Sequence, residues 1–264
     1  MTPVALTIAG SDPSGGAGMQ ADLKTFHQHG VYGMSVVTLL TVQNTQSVSA
    51  VRHIDPEFVI AQLDAVLTDI PPQAAKTGAL GSAAIIDALA ERAAEFEFPL
   101  VVDPVMISKH GAALLDEDAV ESMKRRLLPH AFCVTPNLSE AAALTGIEVT
   151  DRATMEQAAR AIGELGPKHV LIKGGHATGP ALDLLWSGGQ FHEFTAERID
   201  STNTHGTGCV LSAAITARLA RGESLINAVR GAKQFVTAAI RTAPGLGGGV
   251  SGGAGPTNML ADLS

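Results

Sequence analysis

The stretch "VALTIAGSDPSGGAGMQADLKTFHQHGVYGMSVVTLLTV", residues 4–42, runs from an apolar segment through a glycine-rich loop into a helix and on to a second apolar segment. "VALTIAG" (4–10) is short, apolar and closed by glycine, which predicts a buried strand. Met19, Leu23 and Phe26 then recur at helical spacing until Gly30 ends the helix. "GMSVVTLLTV" (33–42) is β-branched and apolar, so a second strand follows. A strand, a helix and a strand in this order predict a parallel pair with the helix packed over it.

The same alternation continues along the chain. Asp55 and Pro56 open a helix over 55–70, as an N-cap followed by proline at the first helical position, with Val59, Leu63, Val66, Leu67 and Ile70 as its apolar face. Strands are predicted at "AAKTGA" (74–79), "LVVDPV" (100–105), "AFCVT" (131–135) and "HVLIKGG" (169–175). Helices are predicted at 82–96, 116–128, 138–145 and 152–165, then a hairpin over 181–194 turned at Gly188-Gly189, then helices at 207–221 and 224–242. The expectation is an α/β fold in one domain over 1–264, with a mostly parallel sheet covered by helices on both faces. "PGLGGGVSGGAGP" (244–256) is expected to be a mobile surface segment, or a loop closing over a nucleotide.

Composition narrows the function. Hydrophobic residues make up 45% of the 264 residues but aromatics only 4%, so Ala, Val, Leu and Ile must build the core. A net charge of −8 gives no general attraction to nucleic acid or anionic membranes. Two well-separated cysteines argue against a disulfide scaffold or a zinc site. With no basic-then-apolar leader and no apolar run near the ~20 residues that span a bilayer, a cytoplasmic protein is expected.

Two glycine-rich loops invite a phosphate reading. The first, "GSDPSGGAGMQAD" (10–22), lacks the Gly-Lys-Ser/Thr of a P-loop. Its GxGxxA match starts six residues past Gly10, and no acid follows between Asp22 and Asp55 to hold a ribose. A flexible substrate loop is the better expectation. The second, "NTHGTGCVLSAAITARLARG" (203–222), places Gly206, Thr207, Gly208 and Cys209 at a helix start, where successive amides and the helix dipole make an anion site. The alternative there is a plain strand-to-helix turn.

"TIAGSDPSGGAGMQADLKTF", "GVYGMSVVTLLTVQNT", "VDPVM", "TPNLSEAAALTG", "LIKGGH" and "NTHGTGCVLSAA" occur in one order over residues 4–243. In that order the sequence resembles the bacterial hydroxymethylpyrimidine/phosphomethylpyrimidine kinases of thiamine biosynthesis, within the ribokinase-like superfamily. The resemblance implies a three-layer sandwich in which ATP and an alcohol meet at the C-terminal edge of the sheet. It also implies phosphorylation of 4-amino-5-hydroxymethyl-2-methylpyrimidine to the monophosphate and then the diphosphate, usually by a homodimer.

The resemblance assigns roles to particular residues. Gly206, Thr207, Gly208 and the amide of Cys209 become the anion hole for the transferring phosphoryl group. Cys209 stands where many superfamily sugar kinases carry an aspartate base, and a helix N-terminus is expected to lower its thiol pKa. Asn137 and Glu140 fall on an N-x-x-E motif that the resemblance assigns to Mg²⁺; read from the residues alone, a helix cap with a first-turn acid is the better expectation. Lys173 is expected to contact ATP phosphates, with weaker expectations for His176, His205 and Asp103. Gln43 is expected to read the pyrimidine edge, and Asp22 to contact the same acceptor. Cys133, inside "AFCVT", is expected to be a core residue. The competing readings are a pyridoxine/pyridoxal kinase of the same superfamily and a silent pyrimidine-binding protein.

Overall fold

The computed structural model describes residues 2–106, 115–175, 181–247 and 254–262. Strand β1 (Val4–Ser11) is apolar on both faces because helices cover both: Leu6 and Ile8 enter one core, Ala5 another. Helix α1 (Gly18–Gln28) returns the chain to β2 (Tyr32–Gln43), and β3 (Val48–His53) folds back antiparallel to β2. Then follow α2 (Pro56–Asp69), β4 (Ala74–Thr77), α3 (Ala83–Ala93), β5 (Leu100–Val102) and α4 (Glu117–Ser122). The chain continues with β6 (Cys133–Val134), α5 (Leu138–Thr145), α6 (Arg152–Gly163) and β7 (His169–Lys173). The hairpin β8 (Ala181–Ser187) and β9 (Gln190–Ala196) precedes α7 (Thr207–Ala220) and α8 (Leu225–Arg241).

Among the described residues, nine strands join one sheet in the order β3-β2-β1-β4-β5-β6-β7-β8-β9. The six strands from β2 to β7 in that order run parallel, while β3, β8 and β9 run antiparallel. Helices α2 to α6 cover one face through the larger core, which holds Val59, Leu63, Ile85, Leu89, Met155 and Ile162. On the other face lie α1, α7 and α8. Among them α7 is buried nearly all round, and its Ala213 and Ala217 pack on Ala5 and Ala74 of the sheet. Small residues let it lie close to β4 and β5, where it meets the sheet centre. The chain adds β2 on one side of β1 and β4 on the other, so the order reverses beside β1. In open parallel sheets, ligands bind at the carboxyl ends of the strands at such a reversal.

The expected alternation is present, with three departures. Strand β3 was not expected: its side chains are mostly exposed, so no buried face marks it in the sequence, and backbone pairing to β2 alone defines it. The predicted 116–128 helix stops at Ser122 and continues as a π turn (Met123–Leu127) and a 3-10 turn (Leu128–His130) that contains Pro129. Within the glycine-rich stretch, residues 248–253 lie outside the described residues. Gly255 and Pro256 pair with His205, and Met259 and Ala261 bury against the core of α7 and α8.

Behind the site, His29 at the end of α1 is buried edge-on to Phe235, with rings 4.7 Å apart, and its Nε2 has no hydrogen-bond partner. Burial, helped by Arg218 and Arg221, lowers its pKa to about 4, against the hydrogen bond to the Thr25 carbonyl. The native state therefore holds His29 neutral while the unfolded chain takes up a proton near the ordinary histidine pKa. Stability is lost as pH falls through this window, by roughly 2–3 kcal/mol between pH 7 and 4.5. Urea unfolding of the parent and His29→Asn across that range should show the variant's pH dependence reduced by about this amount.

Candidate active site

Five charges, four buried and Lys173 half-buried, alternate in sign along the C-terminal edge of the parallel strands. Asp22 of α1 is paired with Lys76 of β4 at 2.9 Å, and both are fully buried. Asp103, just past β5, takes the ammonium of Lys173 at 2.8 Å, and Glu140 of α5 lies 3.9 Å from the same ammonium. Thr7 of β1 donates to Asp22 at 2.6 Å, and Thr135, just past β6, donates to Asp103 at 3.2 Å. Strands β4, β5, β6 and β7 thus each contribute a polar group at or just past the C-terminal end, and β1 contributes Thr7 from its middle. Ser212 of α7 donates to the second oxygen of Asp103 and ties that helix to the row.

The start of α7 stands over this row. Gly206 is its N-cap in the left-handed conformation (φ +81°), and no side chain caps the helix. Helices α2 to α6 are each capped by a side chain, from Asp55, Ser82, Asp116, Asn137 and Asp151 respectively. The first-turn amides of α7 accordingly lack an intrahelical acceptor and point where an anion can bind. Lys173 is close by: a Cβ on Gly208 would lie 3.4 Å from its ammonium. Gly206, Thr207, Gly208, Cys209 and Lys173 are therefore brought together as the sequence suggested.

The two glycine-rich loops interlock. A Cβ on Gly206 would fall 1.8 Å from the carbonyl oxygen of Gly16, so only glycine fits between them. His205 Nε2 lies 2.8 Å from Asp12 Oδ2 in a buried pair. The Asp12 carboxylate also accepts from the backbone of Ser14 and Ala17 and from the Ser14 hydroxyl. Burial would raise the Asp12 pKa, but His205 and Ser14 outweigh it and hold the carboxyl below its usual range. Loop 10–18, expected to be flexible, is tied down by these contacts.

Several expectations need correction. Asp22, expected to contact the acceptor, is fully buried and holds Lys76 and Thr7 instead, so it lies under the site. The thiol of Cys209 was expected to ionise easily. Its surroundings push it up to about 12, because burial and the nearby Asp22 and Asp103 outweigh Lys76 and an amide contact from Gly18. Asn137 and Glu140 form a capping box: the Asn137 side chain accepts the Glu140 N–H at 2.9 Å, and the Glu140 carboxylate accepts the Asn137 N–H at 2.8 Å. Burial, against the opposing Lys173, raises the Glu140 pKa to about 7. Gln43 ends β2 at the same sheet edge, where its side-chain oxygen accepts from the Thr41 hydroxyl. His176 lies outside the described residues. Cys133 is fully buried in β6, as expected, and burial raises its thiol to about 12.

Lys76 and Asp12 were missed. The only sign of Lys76 in the sequence is a lone lysine inside the short apolar strand "AAKT", a position that tolerates a charge only if it is paired. Asp12 resembles an ordinary turn residue before Pro13.

A row of charges thus lies beneath an uncapped helix start at the C-terminal edge of a parallel sheet, in a ribokinase-like fold. A Staphylococcus aureus pyridoxal kinase solved with AMP-PCP superposes with a TM-score of 0.90 at 38% identity, covering 99% of this chain and 94% of that one. A phosphomethylpyrimidine kinase from Clostridium difficile superposes at 0.80 with 44% identity, over 89% and 98% of the two chains. A hydroxymethylpyrimidine/phosphomethylpyrimidine kinase of Streptomyces coelicolor is 50% identical over 94% of this chain and 92% of its own. A thiamine biosynthesis bifunctional protein of Geobacter sulfurreducens is also 50% identical; this chain matches 97% of itself to 52% of that protein, about half its length. The Phosphomethylpyrimidine kinase family profile matches residues 12–258, and the chain belongs to that family.

The interlock predicts the effect of small substitutions. Gly206→Ala must displace either Gly16 or the helix start, and phosphoryl transfer, read as ADP release, should fall by roughly a hundredfold or more. Gly188→Ala is the control: its φ is +58° in the exposed hairpin with nothing within 4 Å, so it should cost about 1–2 kcal/mol of stability and leave activity intact.

Proposed function

We propose that this protein transfers the γ-phosphoryl group of ATP to the hydroxymethyl group of 4-amino-5-hydroxymethyl-2-methylpyrimidine. It then phosphorylates the monophosphate to the diphosphate, in thiamine biosynthesis. The observation that carries this reading is the uncapped start of α7 beside Lys173 and Cys209. Phosphoryl transfer depends chiefly on positioning and on charge stabilisation. The amides of Gly206 to Cys209 would meet the charge that develops on the phosphoryl oxygens, and Lys173 would add its ammonium beside them.

Mg²⁺, when bound, would neutralise the negative charge of the ATP phosphates. This ion commonly takes one or two carboxylates and completes its shell with phosphates and water. Glu140 and Asp103 on either side of Lys173 fit that need, and a carboxyl held near pH 7 by burial gains from a nearby cation. Asn137 keeps its side-chain oxygen in the helix cap and positions Glu140. Gln43 would read the aminopyrimidine edge, since an amide offers both a donor and an acceptor. The protein is taken to work as a cytoplasmic homodimer. Two free cysteines suit a reducing compartment, and exposed Leu40 and Val42 on β2 offer an apolar surface for a second copy.

The likeness to pyridoxal kinases, one of them solved with pyridoxal, keeps a second reading alive: a kinase of pyridoxine or pyridoxal. Steady-state comparison with Mg-ATP decides between them. The pyrimidine should give the higher kcat/KM, and a clear preference for pyridoxine would overturn the assignment. No ADP release with either alcohol would point to a silent binding protein.

Cys209 is the proposed proton acceptor from the hydroxymethyl group. Because its thiol sits at about 12, it must first lose its own proton, and the thiolate fraction rises tenfold per pH unit below that value. The first phosphorylation should therefore accelerate from about pH 7 to 9, and Cys209→Ala should flatten that profile and slow the step roughly 10²–10⁴-fold. The monophosphate is already ionised at neutral pH, so its phosphorylation should fall less than about tenfold. Equal losses in both steps would leave Cys209 with a purely structural part in the anion hole.

A further inference from the structure

A buried acid stands in the hairpin strand "ALDLLWS", and the proposed phosphoryl transfer does not use it. Asp183 of β8 is 3% exposed, where a carboxylate is tolerated only if it is paired. Its Oδ2 takes the ammonium of Lys233 from α8 at 2.7 Å. Such a pair is weak support for a fold, because apolar residues of similar volume are often as good. The other oxygen is engaged differently. Asp183 Oδ1 accepts the backbone N–H of Gly174 at 3.1 Å.

That N–H belongs to the planar peptide group that carries the Lys173 carbonyl. Lys173 and Asp183 stand opposite one another in the antiparallel pair of β7 and β8, so their side chains leave the same face of the sheet. It is the face on which Leu171 and Leu185 meet α7 and α8. On the other side, the Lys173 N–H donates to the Pro136 carbonyl at 2.8 Å. Both peptide groups of Lys173 are therefore held, one by a main-chain carbonyl and one by the Asp183 carboxylate. The fit leaves no slack: a Cβ on Gly174 would fall 2.1 Å from the Leu182 carbonyl oxygen. With its backbone fixed from both sides, Lys173 sends its ammonium to Asp103, beside Gly208 at the start of α7.

We propose that Asp183 and Lys233 are positioning residues for Lys173: Lys233 holds the Asp183 carboxylate in place, and that carboxylate fixes the peptide group from which the Lys173 side chain is aimed. The proposal rests on Lys173 contacting the ATP phosphates, and it explains why an acid occupies a strand whose neighbours are apolar.

Two double variants that differ in the group offered to Gly174 test it, with the better of the two alcohols as acceptor. Asp183→Asn with Lys233→Met strands no charge and keeps a side-chain oxygen for the Gly174 N–H. Asp183→Leu with Lys233→Met strands no charge either but removes that oxygen. The asparagine pair should keep kcat/KM for Mg-ATP within about threefold of the parent. The leucine pair should lose roughly ten- to a hundredfold in kcat/KM for Mg-ATP while the KM of the alcohol stays unchanged. Equal losses in the two pairs, no loss in the leucine pair, or a matching rise in the alcohol KM overturns the proposal. Where the leucine pair does not fold, the asparagine pair decides: turnover within threefold supports the proposal and a larger loss overturns it. Lys173→Met separates the proposal from the reading beneath it. If that variant leaves kcat/KM for Mg-ATP unchanged, the phosphate role of Lys173 falls and the proposal with it; if it lowers kcat/KM and the leucine pair does not, the proposal alone falls. Where Lys173→Met does not fold, the contrast between the two pairs decides.

Discussion

The carboxylate of Asp103 lies between two lysines, and the rest of the site is arranged around it. One oxygen takes Lys173 and the Thr135 hydroxyl; the other takes Ser212 from α7. Burial alone would raise its pKa, but Lys173 and Lys76 together hold it below the usual carboxylate range. Removing one partner of a buried pair typically costs about 3–5 kcal/mol, because the other charge is left stranded in a medium that solvates it poorly. The row from Asp22 to Glu140 therefore survives only while every member is present. Its members come from two strands, two helices and the segment after β5, so only this fold brings them side by side. Through Ser212 the same carboxylate fixes the register of α7, and with it where the amides of Gly206 to Cys209 point.

Much of this was legible in the sequence, for identifiable reasons. The β–α alternation survives because both faces of the sheet are covered, so apolar runs and helical periods follow one another without a solvent-facing strand to blur them. Glycine marks a forced backbone, and Gly206 was visible for that reason. Lys173 was visible because it ends an apolar strand beside two glycines. What failed depends on contacts between distant segments. Strand β3 is set by backbone pairing to β2, and its exposed side chains carry no pattern. Asp22 was placed against the acceptor because its partner Lys76, on another strand, could not be seen. The Cys209 thiol was misjudged for the same reason. Its helix position favours ionisation, while burial and two carboxylates from other elements oppose it and win.

Asp12 shows how the two loops became one unit. Its carboxylate holds the turn of loop 10–18 through Ser14 and Ala17 and reaches His205 at the base of the other loop. Pro256 pairs with the same histidine from the end of the chain. A residue contributed by the first loop thus helps hold the second in place. The two loops cannot shift independently without breaking the buried hydrogen bond between Asp12 and His205.

This rigidity bears on how one site could serve two acceptors of different charge. The protein carries a net charge of −8, so at long range it repels anionic ligands. The buried row adds no positive excess, with three carboxylates against two lysines. The backbone can supply attraction beside the Lys173 ammonium. Helices α1 and α7 both begin without a side-chain cap, and their starts meet where Gly16 faces Gly206. Each helix start contributes the equivalent of about half a positive charge. Backbone dipoles do not titrate, so a neutral alcohol and a phosphate monoester would meet the same field at any neutral pH. The Lys173 ammonium does not titrate at neutral pH either, so neither source of positive field changes between the two steps.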